Sequence, residues 1–173
     1  MQTLSFITNL LGLALSIVAL LVKGKNIEKI LLLVLLANSL IAAGYLLGGT
    51  GINGAASCLL ACVQTLVNYF FEKKNKPLPK TLIGLYLLSY VAVNVAVGGF
   101  SLGSVIAILA CSAFVASISQ KNGRSYRLCA MANCILWLIY DVVTASYSSI
   151  ITHATMLAVS IAGFVIHDMK KKS

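Results

Sequence analysis

Seven apolar stretches follow one another along this chain, separated only by short turns. They run Ser5–Val22, Ile30–Leu47, Gly54–Phe71, Thr81–Val97, Ser101–Ile118, Leu128–Ser146 and Ser149–Ile166. Each matches the roughly 17–25 apolar residues that a helix needs to cross a hydrocarbon core about 30 Å thick. A backbone surrounded by lipid must satisfy its own amides, so segments of this kind are helices. A soluble domain would need a polar coat, and 10% charged residues cannot provide one for 173 residues. The expected class is an all-α integral membrane protein with no soluble domain left over.

The basic residues give that protein a direction. Lys23, Lys25 and Lys29 follow the first span, and Lys73, Lys74, Lys76 and Lys80 follow the third. Lys121, Arg124 and Arg127 follow the fifth, and Lys170, Lys171 and Lys172 follow the seventh. The alternate connections, GGTGIN, GGFSLG and TASYSS, hold none of the thirteen. By the positive-inside rule that side is cytoplasmic, which puts the N-terminus outside and the C-terminus inside. The net charge of +9 is therefore a topology feature with some attraction to anionic headgroups, and it excludes nucleic acid as a partner. No basic residue or small-residue cleavage site marks the first span as a secretory signal peptide. All five cysteines (58, 62, 111, 129, 134) lie within spans and read as small reduced packing residues.

A shift of 95 residues lays the chain on itself. Ala37-Asn38 falls on Ala132-Asn133, Tyr45 on Tyr140, Ser57 on Thr152, Thr65 on Ser160 and Tyr69 on Phe164. This predicts an internal duplication. Residues 1–76 form a first three-helix repeat, 77–100 a linker helix and 101–173 a second repeat. One connecting span gives both copies the same orientation, related by an axis along the membrane normal. In transporters built of repeats, solutes bind near the midplane at the repeat interface.

The stretch ANCILWLIYD (132–141) sets an amide, an indole, a phenol and a carboxylate in an apolar span. At 100° per residue, Asn133, Trp137, Tyr140 and Thr144 fall within about 60° of one another, with Asp141 at the edge. In lipid such a face looks inward. Two readings compete. In one, Asn133 and Asn38 bond neighbouring helices while Trp137 and Tyr140 pack. In the other, the face lines a solute site, with Trp137 stacking on a ring. Asp141 and His153 are each six residues from Tyr147 at the last turn, so they reach similar depth and can pair. That pair is a candidate for proton coupling; the alternative is an Asp141 that reaches water in an outer vestibule.

The remaining polar residues read mainly as packing. Tyr86, Tyr90 and Asn94 form a stripe on the fourth span. Cys58, Cys62, Thr65 and Tyr69 share a face of the third, with Cys58 closest to the cavity, while Gln64 and Asn68 are expected to bond the first or second span. His167 and Asp168 are expected to be solvated beside Lys170. No metal triad or nucleophile–base spacing is visible, so an enzyme is not expected, nor any cofactor or metal.

The three-plus-one-plus-three pattern, with the local motif, resembles the SWEET sugar facilitators and the wider PQ-loop superfamily, which includes vitamin transporters of the nicotinamide-riboside type. Where those families carry Trp-x-x-Tyr-Gly, this chain has Trp137-Leu138-Ile139-Tyr140-Asp141, and Arg124-Ser125 stands for their Lys/Arg-Ser. The family's substrate-facing Asn corresponds to His153, and in the first repeat Ala42 and Cys58 stand for Trp and Asn. Neither repeat has the hinge proline; Gly12, Gly44 and Gly163 are the residues available to supply flexibility. Length, topology and loops resemble most the YgjV family of the bacterial inner membrane.

That resemblance implies a SWEET-like fold of two parallel three-helix bundles joined by a linker helix. It implies a facilitator or proton-linked transporter of a small polar solute such as a sugar, nucleoside or vitamin. The substrate site would comprise Asn38, Cys58, Asn133, Trp137, Tyr140 and His153, with Asp141 and His153 as the proton-coupling pair. A membrane receptor or assembly scaffold on the same fold is the alternative. Partners are then a small-molecule solute, anionic lipid headgroups and, as a further option, a second copy of the chain.

Overall fold

The computed structural model describes residues 2–22, 27–48, 52–143 and 147–169. Lys23, Lys25, Asn26, Thr50, Thr144 and Lys170 to Lys172 lie outside the described residues, as does the side chain of Tyr45. Seven α-helices are present: α1 (Gln2–Leu21), α2 (Ile27–Gly48), α3 (Ile52–Lys73), α4 (Lys80–Gly98), α5 (Leu102–Ile118), α6 (Gly123–Val143) and α7 (Tyr147–Phe164). A π-helical turn, Val165–Met169, continues α7. Five helices, α1 to α4 and α6, are long and apolar enough to cross a membrane by length and composition. Helix α5 is apolar and has 17 residues, about 26 Å at 1.5 Å per residue. The outward surface is apolar too: Phe6, Leu88 and Val142 are 69, 67 and 68% exposed, as suits side chains facing lipid.

Neighbours in the chain are neighbours in space. Helix α2 packs on α1 and α3, α6 packs on α5 and α7, and α4 bridges α3 and α5. Helix α1 meets α7, which closes the circuit. The α1–α2 contact is close because of glycine. A Cβ on Gly12 would stand 2.6 Å from Ile41 Cγ1 and 3.0 Å from the Ala37 carbonyl. A Cβ on Gly44 would overlap the Asn9 side chain, and the Ser5 hydroxyl donates to the Gly44 carbonyl at 2.6 Å. Small residues of this kind let helices approach within a membrane, where no hydrophobic force separates helix from lipid. Gly12 and Gly44 are thus contact points between α1 and α2.

Local chemistry sets the helix ends. Asn75, at φ +52°, ends α3 in a left-handed cap; its amide donates to Glu72 O, and the Lys76 amide to Phe71 O. Helix α6 begins at Gly123, five residues before the apolar stretch at Leu128, because the Asn122 side chain accepts from the Ser125 amide at 2.8 Å and caps it. Arg124 and Arg127 therefore lie inside the helix and not in a connection.

The described basic connections meet at one end of the bundle. Lys121 pairs with Glu72 and reaches the Lys76 carbonyl, joining the α5–α6 connection to the end of α3. Two clusters fill the interior. Ala19, Leu20, Ile27, Ile30, Leu31, Val34, Ile118 and Tyr126 form one towards the basic end. Tyr86, Tyr90, Cys111 and Val115 form the other between α4 and α5.

Candidate functional site

The α6–α7 hairpin carries the most concentrated polar chemistry away from the basic end. His153 Nδ1 and Asp141 Oδ2 are 2.6 Å apart, so the two residues expected at equal depth do pair. The Asp141 side chain is 3% exposed and that of His153 25%. The carboxylate does not open on a vestibule; its contact is the imidazole. The pair also fixes the ring: His153 stacks on Trp137 with centroids 5.7 Å apart and planes 9° from parallel. Tyr140 meets the same indole edge-on at 5.2 Å. Four side chains therefore form one connected unit, carboxylate to imidazole to indole to phenol.

The unit reaches inward. Trp137 is half-buried and packs against the cluster of Tyr86, Tyr90, Cys111 and Val115. Cys58 is half-buried on α3. Asn133 is half-buried and donates to the Ala110 carbonyl of α5 at 2.7 Å, so its amide joins two helices. Asn38 is half-buried on α2 and shows no such bond among the described residues. The expected set thus divides: Trp137, Tyr140, Asp141 and His153 are in direct contact, while Asn133 bonds the Ala110 carbonyl of α5.

The α4 stripe turns inward as packing. The Tyr86 hydroxyl lies 3.4 Å from Asn68 Oδ1, and Asn68 donates to the Ile118 carbonyl at 2.9 Å. Asn68 therefore bonds α4 and α5, which corrects its expected bond to the first or second span. A shallow depression with room for about one water lies near this point, lined by Leu31, Asn68, Glu72, Leu78 and Lys121 among others, at the basic end.

A second polar assembly was legible only as charge. Arg127 is fully buried; its Nε and Nη2 donate to the two Asp168 oxygens at 2.8 and 3.0 Å. Its Nη1 donates to Val22 O at 3.0 Å and reaches Leu20 O at 3.5 Å. His167 Nε2 donates to Leu21 O at 3.0 Å. The last turn of a helix leaves its carbonyls without intrahelical donors, and α1 receives them from α6 and α7. Gly163 makes room, since a Cβ there would stand 2.9 Å from Leu20 O. Asp168 is thus paired and mostly shielded, where solvation was expected, while His167 bonds α1 and keeps an exposed position. The sequence pattern did contain one clue: Asp168 is one of only four acidic residues in the chain.

No group of three or more His, Cys, Asp or Glu able to hold a metal occurs among the described residues. No curated protein and no solved structure matches the chain. The sequence profile of one family, described as bacterial inner membrane protein, matches residues 4–171. With helices apolar enough to span a bilayer and an outward surface of large apolar side chains, the chain belongs to the Imp-YgjV family of bacterial inner membrane proteins.

Proposed function

We propose that the protein carries a small, uncharged, ring-containing polar solute across the inner membrane, with the Asp141–His153 pair as its proton-responsive element. One observation carries this reading: a buried carboxylate holds an imidazole flat against the only tryptophan of the chain. Ionisable residues at membrane depth are costly to keep and mark solute or proton paths. The imidazole already covers one face of the indole, so a solute ring that stacks there competes with His153. Displacing His153 strains its bond to Asp141, which links solute binding to the protonation of the pair. A sugar, nucleoside or vitamin-like solute suits an aromatic wall better than an ion does, because no ring of carboxylates or carbonyls is offered.

In this reading residues 1–76 and 101–173 are parallel copies joined by the span in 77–100. Residue matches support the register, with Ala37-Asn38 on Ala132-Asn133 and Thr65 on Ser160 at the 95-residue interval. The N-terminus lies outside and the basic end faces the cytoplasm. Single cysteines placed at Thr50 and Lys76, with the five natural cysteines replaced, should react with an impermeant reagent from opposite faces. Reaction of both from the same face defeats this topology.

Purified protein in vesicles loaded with D-glucose, uridine or nicotinamide should show counterflow of at least one labelled solute. Trp137→Ala should weaken its half-saturation by about tenfold while leaving folded protein in place, given about 0.5–1.5 kcal/mol for a lost stacking partner beyond its buried area. Unchanged affinity in that variant removes Trp137 from the site. A receptor or scaffold is the second reading, since the same fold can serve either role. Binding with no counterflow would select it.

A further inference from the structure

We infer that the basic end of the bundle is a latch, which closes the way from the Trp137 unit to that side and parts when a solute leaves there. Helices α1 to α3 meet α5 to α7 at this end across a seam, and several polar bonds cross it. Arg127 Nη1 donates from α6 to Val22 O and lies 3.5 Å from Leu20 O, at the end of α1. His167 Nε2 donates to Leu21 O beside them. Asn68 donates from α3 to the carbonyl of Ile118, the last residue of α5. Lys121, just past α5, pairs with Glu72 of α3 and reaches Lys76 O.

The chemistry of these bonds suits opening. The carbonyls that accept across the seam lie at helix ends or just past them, on Leu20, Leu21, Val22, Lys76 and Ile118. Such carbonyls lack a donor in their own helix and can turn to water when a partner leaves. The buried charges, by contrast, stay on one side. Arg127 and Asp168 both belong to the α5–α7 side, so their bidentate pair stays whole when α1 moves away. Among the described residues, the ion pair that crosses is Lys121–Glu72, whose lysine is half in solvent. An exposed pair of that kind costs little to part. Opening the seam therefore leaves no buried charge without its partner, which would be the prohibitive step.

The closed state is also sealed. A Cβ on Gly163 would stand 2.9 Å from Leu20 O, so α7 comes close to the backbone of α1 at this level. Leu20, Ile30 and Leu31 from one side pack with Ile118 and Tyr126 from the other. Trp137 stands ten residues beyond Arg127 on α6 (137 − 127), about 15 Å along the axis at 1.5 Å per residue. Apolar seal and polar latch together shut the indole off from the basic end. Carriers work by moving one bundle against another around such a site.

The role of the latch rests on the carrier reading, whereas the parting of the seam can be measured by itself. Leu21→Cys with His167→Cys, in the full chain with its five natural cysteines replaced, can be bridged in vesicles by a short, reducible bis-methanethiosulfonate. Bridging should cut counterflow of the carried probe (D-glucose, uridine or nicotinamide) at least tenfold, and reductant should restore it. The probe should still quench the fluorescence of Trp137, the only tryptophan of the chain. Each single-cysteine variant, treated alike, should keep its rate. Spin labels on Lys74→Cys and Arg124→Cys, which flank the seam, should report two separations in the unbridged protein. A single separation overturns the latch, as does full counterflow in the bridged protein. Loss of Trp137 quenching on bridging overturns it too, since the basic end would then be the way in. Two separations without counterflow of any probe remove the carrier reading and leave a seam that parts.

Discussion

Arg127→Met should cost the protein most of its folded population in detergent. The substitution keeps an unbranched apolar stem and removes the guanidinium, so Asp168 is left as a nearly buried carboxylate without its bidentate partner. The carbonyls of Leu20 and Val22 lose their donor as well. Removing one member of a buried ion pair typically costs about 3–5 kcal/mol, a large part of the 5–15 kcal/mol that holds a whole domain together. A double variant, Arg127→Met with Asp168→Leu, should melt above the single one, because it leaves no unpaired charge. Melting followed by size-exclusion chromatography checks both. A single variant that melts with wild type would mean that the pair contributes nothing to the fold.

Removing the ionisable group at position 141 should change function more than stability. Asp141→Asn keeps a hydrogen-bonding side chain beside His153 but cannot exchange a proton. Solute uptake in this variant should therefore respond to pH differently from wild type. Asp141→Leu goes further. It removes the acceptor 2.6 Å from His153 Nδ1 and frees the imidazole from its place on Trp137, and uptake should fall by about tenfold or more. Initial rates measured over the pH series discriminate between the two effects. A wild-type pH profile in Asp141→Asn would remove the pair from any proton-coupled step.

Apolar length and the distribution of charge made the seven helices legible from the residues alone, because lipid permits few other structures. The Asp141–His153 pair was legible for a simpler reason: two residues each six positions from Tyr147 reach similar depth on adjacent helices. Arg127 was misread because a basic residue after an apolar stretch usually marks a loop. What placed it inside α6 was the Asn122 cap five residues earlier, and a cap is visible only once the helix is known to start there. Asp168 was misread for a related reason. The π-helical turn over Val165–Met169 accompanies the chain's approach to α1 and α6, and hydropathy carries no trace of such a turn. Gln64 illustrates another limit. Periodicity located its stripe, but whether an amide finds a partner depends on which helix lies opposite.

The Arg127 assembly also orders events in time. A chain emerging from the ribosome presents α1 first, then Arg127 more than a hundred residues later, then Asp168 after 41 more. Until that last acid emerges, α6 carries a guanidinium with no counterion, and the carbonyls at the end of α1 have only water or headgroups to answer them. Arg127 from α6 and Asp168 and His167 after α7 together hold the end of α1, so these two helices act as one clasp on it.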